Sequence, residues 1–221
     1  MPTQAASTYL EAIRHLPVGS ALIVPEVSWA EYEALLAELG AGYAVRVTYD
    51  EEGLEIVSPS AKHEKCKEFI RDIARVLAGE LGTGLEGFGS TTLKHEALQQ
   101  GAEPDTCFYV QHAAQVIGKD ELDLAVAPPP DVVVEIDLSH SSQRKLAFYA
   151  KLGVPEVWRY DGQRASMYLR SGTGYAEVPA SLAFPTFTAD ALTALLRQLG
   201  TEGQQAVLEA FRRSLRERRK E

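Results

Sequence analysis

The chain has no asparagine, only two cysteines, no long apolar run and a shortage of positive charge. The missing asparagine carries no functional implication. The cysteines, Cys66 and Cys107, fall on apolar faces of different expected elements. No Cys-x-x-Cys pair is present to hold a structural zinc, so both are expected as small core residues. No segment approaches the roughly 20 apolar residues that a membrane span requires. Residues Met1 to Ser7 place no basic region before an apolar core, so no signal peptide is expected, and the cytoplasm is the expected compartment. A net charge of −9 argues against a protein that coats nucleic acid nonspecifically. Positive charge gathers in residues 211–221, where six basic side chains accompany two acidic ones. A solvated helix end, where cations suit the helix dipole, is the expected reading of that tail.

What is present fits a globular domain: 221 residues, 45% apolar and 24% charged. A short helix is expected over 8–15. Ser28 is a good N-cap for a helix from Trp29 to Leu39, closed by Gly40. A hairpin follows, with strands Tyr43–Tyr49 and Leu54–Val57. Ser60 caps a helix from Ala61 to Leu81, in which Cys66, Phe69, Ile70, Ile73, Leu77 and Leu81 form one apolar stripe. Strands are expected at Gly89–Lys94, Thr106–Val110 and Val132–Leu138, with 111–130 as a surface excursion. A helix over Ser142–Leu152, strands at Glu156–Tyr160, Ala165–Arg170 and Tyr175–Val178, and helices near 188–198 and 202–218 complete the chain. The pattern predicts an α/β or α+β domain with a central mixed sheet flanked by helices. Its core is expected over 41–185, with an N-terminal helical extension over 1–40 and C-terminal helices over 186–221.

Gly82-Thr-Gly84-Leu-Glu-Gly87 matches the GxGxxG pattern of dinucleotide loops, but in the wrong order. Such a loop leaves a strand and opens a helix, because the helix N-terminus binds the pyrophosphate. These glycines end a helix and lead into a strand, so they read as a helix cap and turn; a nucleotide-binding oxidoreductase would rest on this glycine pattern alone, and melting unshifted by NAD or FAD would close that reading. Ser139–Ser142 lack a GxSxG context, which argues against a serine hydrolase.

The informative stretch is 101–160. Asp105 opens one apolar strand, and Glu135 interrupts another, Asp131-Val-Val-Val-Glu-Ile-Asp137. Strand alternation puts Asp131, Val133, Glu135 and Asp137 on one face. A carboxylate in the middle of such a run costs several kcal/mol to desolvate unless it is paired or metal-bound. Asp105 reads either as a turn cap or as a carboxylate facing a cleft. Asp137 is either a further ligand or a lysine's partner. Lys145 sits in the helix that leaves the sheet beside Glu135; it is either a surface lysine or a cation reaching back to the carboxylates. His63 begins the long helix on its Cys66–Ile70 side and reads as a packing or capping residue or as a metal-proximal imidazole, whereas Glu64 faces away from the stripe. Two carboxylates holding Mg²⁺ (or Mn²⁺), with a lysine for the phosphate or the attacking water, make an economical phosphodiesterase site.

These residues resemble a family. Val45-Arg-Val-Thr-Tyr-Asp50, Leu54–Ser60 with His63, Gly89–Lys94, Gly101–Tyr109, Asp131–Asp137 and above all Lys145–Asp161 resemble the Uma2 family (DUF820), a group of restriction-endonuclease-like proteins. The resemblance covers about residues 40–165. It implies a PD-(D/E)xK core and Mg²⁺-dependent cleavage of DNA. In that pattern Asp105 is the motif aspartate and Glu135 the (D/E). Asp137 stands where the pattern has lysine, and Lys145 is its migrated replacement. The implied roles are Asp105 and Glu135 as metal ligands, Lys145 as the catalytic cation, and His63 or Glu64 assisting at the rim. The partner expected is DNA, with a homodimer suited to double-strand cutting. The alternative is a non-catalytic, dimeric binding or regulatory relative on the same scaffold.

Overall fold

The structure is a computed structural model that describes residues 4–40 and 45–219. In chain order the elements are α1 (Gln4–Arg14), β1 (Ala21–Val24), α2 (Trp29–Leu39), β2 (Arg46–Asp50), β3 (Gly53–Val57), α3 (Ala61–Leu81), β4 (Glu86–Gly89) and β5 (Leu93–His95). They continue with β6 (Gln100–Ala102), β7 (Thr106–Tyr109), α4 (Ala113–Val116), β8 (Val132–Ile136), α5 (Gln143–Leu152), β9 (Glu156–Tyr160), β10 (Ala165–Ser171), β11 (Gly174–Val178), α6 (Ala189–Gln198) and α7 (Gln204–Arg218). Tyr43 and Ala44, at the start of the expected first hairpin strand, lie outside the described residues, as do Lys220 and Glu221 of the tail.

The expected mixed sheet is present, six-stranded in the order β11-β10-β9-β8-β7-β4. Its one parallel pair, β8 with β9, is joined through α5, the crossover that a parallel pair requires. Alternation along β8 works as its sequence predicts. Val132, Val134 and Ile136 enter the main core with the stripe of α3 and with α6 and α7, while Val133 packs on the other face with Leu146, Phe148 and Tyr149 of α5. Glu135 shares the α5 side.

A second sheet, antiparallel and ordered β1-β3-β2-β6-β5, stands beside the first. The sequence reading had only its β2–β3 hairpin. Strands β1 and β6 were missed, being four and three residues long. The single strand expected at Gly89–Lys94 is instead two: β4 joins the six-stranded sheet and β5 the five-stranded one. Gly89 adopts φ +59, a left-handed turn that lets the chain leave one sheet for the other. In the second sheet Val47, Tyr49, Leu54 and Ile56 face a core made with α1 and α2. The register pairs Arg46 with Val57 and Thr48 with Glu55, so these residues share the opposite face.

Local caps are as expected. Ser28 and Glu31 form a reciprocal capping box, Ser60 accepts from the His63 amide, and Gly82 and Gly153 end α3 and α5 in left-handed conformations. Gly82 is thus a C-cap, as the order of elements requires. Both cysteines are buried and free. The basic tail is not free: α7 buries Phe211 and Leu215, and Arg216 bonds Glu80 of α3 at 3.0 Å. Among the described residues, no helix is long and apolar enough to cross a membrane.

Candidate active site

Strands β7 and β8 run antiparallel with Thr106 opposite Val134. One residue further along that register, Asp105 stands across from Glu135, which puts both on one face. They are 4% and 2% exposed. Asp105 Oδ2 accepts from the Ile136 amide at 2.7 Å and lies 3.0 Å from His63 Nε2, brought in by the first turn of α3. Its other oxygen faces Arg46 Nε at 3.9 Å.

Glu135 is gripped from α5. Lys145 Nζ donates to its Oε2 at 2.9 Å and Tyr149 Oη donates to Oε1 at 2.5 Å. Lys145 and Tyr149 are four residues apart on the helix and so share a face. The ammonium also donates to the Glu103 carbonyl at 2.9 Å. His63, Asp105, Glu135 and Lys145, separated in sequence by up to 82 positions, therefore meet in one cluster. Glu64 stands at its rim: its carboxylate pairs with Arg46 and Lys67 and lies 3.6 Å from His63 Nδ1.

Burial and charge pull these groups apart. Burial alone would raise Asp105, but the His63 hydrogen bond and the Lys145 charge outweigh it and hold that carboxyl below its usual range. Glu135 is pushed up to about 7, because its burial and the nearby Asp105 outweigh what Lys145 and Tyr149 return. Burial would lower Lys145, yet Glu135 and Asp105 keep it protonated and raise it. Near neutrality the site thus holds one firmly ionised carboxylate and one that readily takes a proton.

The two carboxylates line a cleft of about 40 Å³ together with His63, Lys145, Ile136 and, from the second sheet, Arg46 and Glu55. A larger cavity, about 610 Å³, lies between Trp29, Lys94 and Leu122 and shares no residue with this cleft. Among the described residues no three His, Cys, Asp or Glu side chains form a metal cage. The cleft instead offers hard carboxylates, Asp105 and Glu135 with Glu55 and Asp137 also in its lining, which suits Mg²⁺ or Mn²⁺: such ions keep several waters and take one or two carboxylates, whereas a structural zinc would want four protein ligands.

Asp137, at the position where the resemblance expects lysine, lines the cleft and is tied into the fold. It pairs with Arg159 of β9 and accepts from the Ser142 amide at 3.0 Å and from its hydroxyl at 3.2 Å. It closes the β8–α5 turn, its partner is an arginine rather than a lysine, and its charge is neutralised there. Asp131, on the same strand face, clasps the chain just after β7 by accepting from the amides of Val110 and His112 at 2.7 and 2.9 Å. The sequence reading missed Tyr149, Arg46, Glu103 and Glu55. Tyr149 was legible as the i+4 neighbour of Lys145. Glu55 was legible by the argument applied to Glu135, since it too interrupts an apolar strand, Leu54-Glu-Ile-Val57.

Comparison with known proteins adds the following. The family Uma2, described as "Putative restriction endonuclease", matches residues 29–199. A crystal structure of a "putative nuclease belonging to DUF820" from Anabaena variabilis superposes with a TM-score of 0.51 at 17% identity, over 77% of this chain and 99% of that one. No curated protein matches.

Proposed function

The chain belongs to the Uma2 family, and we propose that its cleft hydrolyses DNA phosphodiester bonds with the help of a divalent cation, Mg²⁺ or Mn²⁺. Asp105 and Glu135 would hold the cation, with the main-chain carbonyl of Ile136 as a third oxygen. When bound, such a cation supplies Lewis acidity and a water of lowered pKa.

The remaining work falls to the protein. His63 and the Ile136 amide fix one oxygen of Asp105 and keep the group ionised. Tyr149 and Lys145 fix the rotamer of Glu135. Lys145 commits two of its three N–H donors to Glu135 and Glu103, leaving one for a phosphate oxygen or the attacking water. Arg46 adds a fixed positive charge to the cleft wall, where phosphate charge must be balanced. Two such clefts in a dimer would suit cutting both strands of a duplex, and β11, an edge strand of the six-stranded sheet, is where a second copy could pair.

The observation that supports this reading most is the convergence of His63, Asp105, Glu135 and Lys145 within hydrogen-bonding distance in one buried cluster. The test is nicking of supercoiled plasmid with Mg²⁺ or Mn²⁺ by the parent and by Asp105→Asn, each checked by circular dichroism. Loss of nicking in a folded variant supports the reading. Equal cleavage by both proteins, or none by either, removes it.

A further inference from the structure

Glu55 stands out in the cleft because, among the described residues, no donor binds its carboxylate. It is 8% exposed and lines the cavity with Asp105, Glu135, His63 and Lys145. Among the described residues its side chain has neither a hydrogen bond nor an ion pair, though its main chain pairs with β1 and β2. The cations that feel its field, Lys145 and Arg144, are committed elsewhere: Lys145 to Glu135 and the Glu103 carbonyl, Arg144 to Asp50 and Glu52. A largely buried carboxylate with no protein donor depends on the water that reaches it through the cleft, or on a ligand that brings donors in.

The cleft indicates which partner. Its volume, about 40 Å³, compares with the roughly 30 Å³ that a water molecule occupies. Among the described residues Glu55 does not complete a three-ligand cage with its neighbours, so an intervening water is the simplest link between it and an ion. Backbone pairing explains how it comes to be there: β3 presents Glu55 on the same face as Thr48 and Arg46, away from the α1–α2 core.

We propose that Glu55 is the water-holding carboxylate of this cleft, accepting hydrogen bonds from the hydration shell of a divalent cation bound by Asp105 and Glu135. The proposal rests on the nuclease reading and deepens it, since it names the residue that orients water in the cleft.

The experiment measures Mn²⁺ binding to the full chain, by the paramagnetic resonance signal of free Mn²⁺, together with melting temperature with and without Mn²⁺. The proteins are the parent, Glu55→Gln, Glu55→Asp and Asp105→Asn. For Glu55→Gln the expectation is unchanged circular dichroism, at least a tenfold weaker affinity for Mn²⁺, and a melting temperature without metal raised by about 2–4 °C, because an unpartnered charge has been removed. Its melting temperature should also respond less to Mn²⁺ than the parent's. Glu55→Asp, which keeps the charge on a shorter arm, should bind Mn²⁺ with intermediate affinity and serves as the second readout if Glu55→Gln misfolds. Affinities of both Glu55 variants within twofold of the parent, with Asp105→Asn weakened, would overturn this inference and leave the nuclease reading standing. A parent that binds no Mn²⁺ at millimolar concentration overturns both.

Discussion

Two sheets wall the same cleft and equip it differently. From the six-stranded sheet come Asp105 and Glu135, and every contact that fixes them is in place: an amide and an imidazole on one, an ammonium and a phenol on the other. From the five-stranded sheet come Arg46, which bonds Glu64 and the Val45 carbonyl but leaves a buried Nε without a hydrogen-bond partner, and Glu55, whose carboxylate has no hydrogen bond or ion pair among the described residues. One wall is preorganised and the other is only partly satisfied. Preorganised groups cost nothing to arrange at the moment of reaction, while unsatisfied ones gain when a ligand supplies what they lack.

The largest effect should come from disabling the preorganised wall. Glu135→Gln removes a cation-holding charge while keeping the shape, and should lower cation-dependent nicking by about 10³-fold with the fold intact. A variant that nicks DNA at the parental rate would break the comparison at its strongest point. Next in size, Arg46→Met on the partly satisfied wall should raise KM for DNA by about tenfold with a smaller change in kcat, since the arginine meets substrate charge without holding the cation. A drop confined to kcat would move Arg46 into the preorganised set.

A third prediction concerns protons. Glu135 has a folded pKa of about 7, above its ordinary value of 4.5, so between those limits the folded protein binds more protons than the unfolded chain. Its contribution to stability is fully present below pH 4.5 and is lost as pH rises through 7. Melting temperature without metal should therefore be higher at pH 6 than at pH 8, by a few degrees, and Glu135→Gln should abolish that difference. Asp105 works in the opposite sense. Its lowered pKa stabilises the fold above its ordinary value of 3.8, an advantage lost only in stronger acid. The smallest effect on the site should be that of Asp137→Asn. Its bonds to Arg159 and Ser142 close a turn, so stability should fall by about 1–3 kcal/mol in urea denaturation while Mn²⁺ affinity stays within twofold. A tenfold loss of affinity would make Asp137 part of the cation site.

Legibility divided along the same line. Glu135 was conspicuous because β8 is five residues long, apolar but for one position, and followed by a capped helix. Lys145 followed from its place on that helix, and Asp105 from its place at the mouth of β7. His63 was visible as the first buried residue after Ser60, but its partner was not, since Asp105 is 42 residues away. On the other sheet, β6 reads Gln-Gly-Ala, with no strand-forming residue, and exists because β2 and β5 flank it. The β4–β5 break was hidden for a similar reason: the left-handed turn at Gly89 takes its meaning from the two sheets it connects.

Helix stripes, caps and strand alternation were determined by the amino-acid sequence alone, because each depends on residues within a turn or two of one another. The company kept by Glu55, Arg46 and Asp137 was decided only in the folded molecule. Which charge meets which depends on strands paired across dozens of residues, and the energy of burying a charge depends on the partner it finds there.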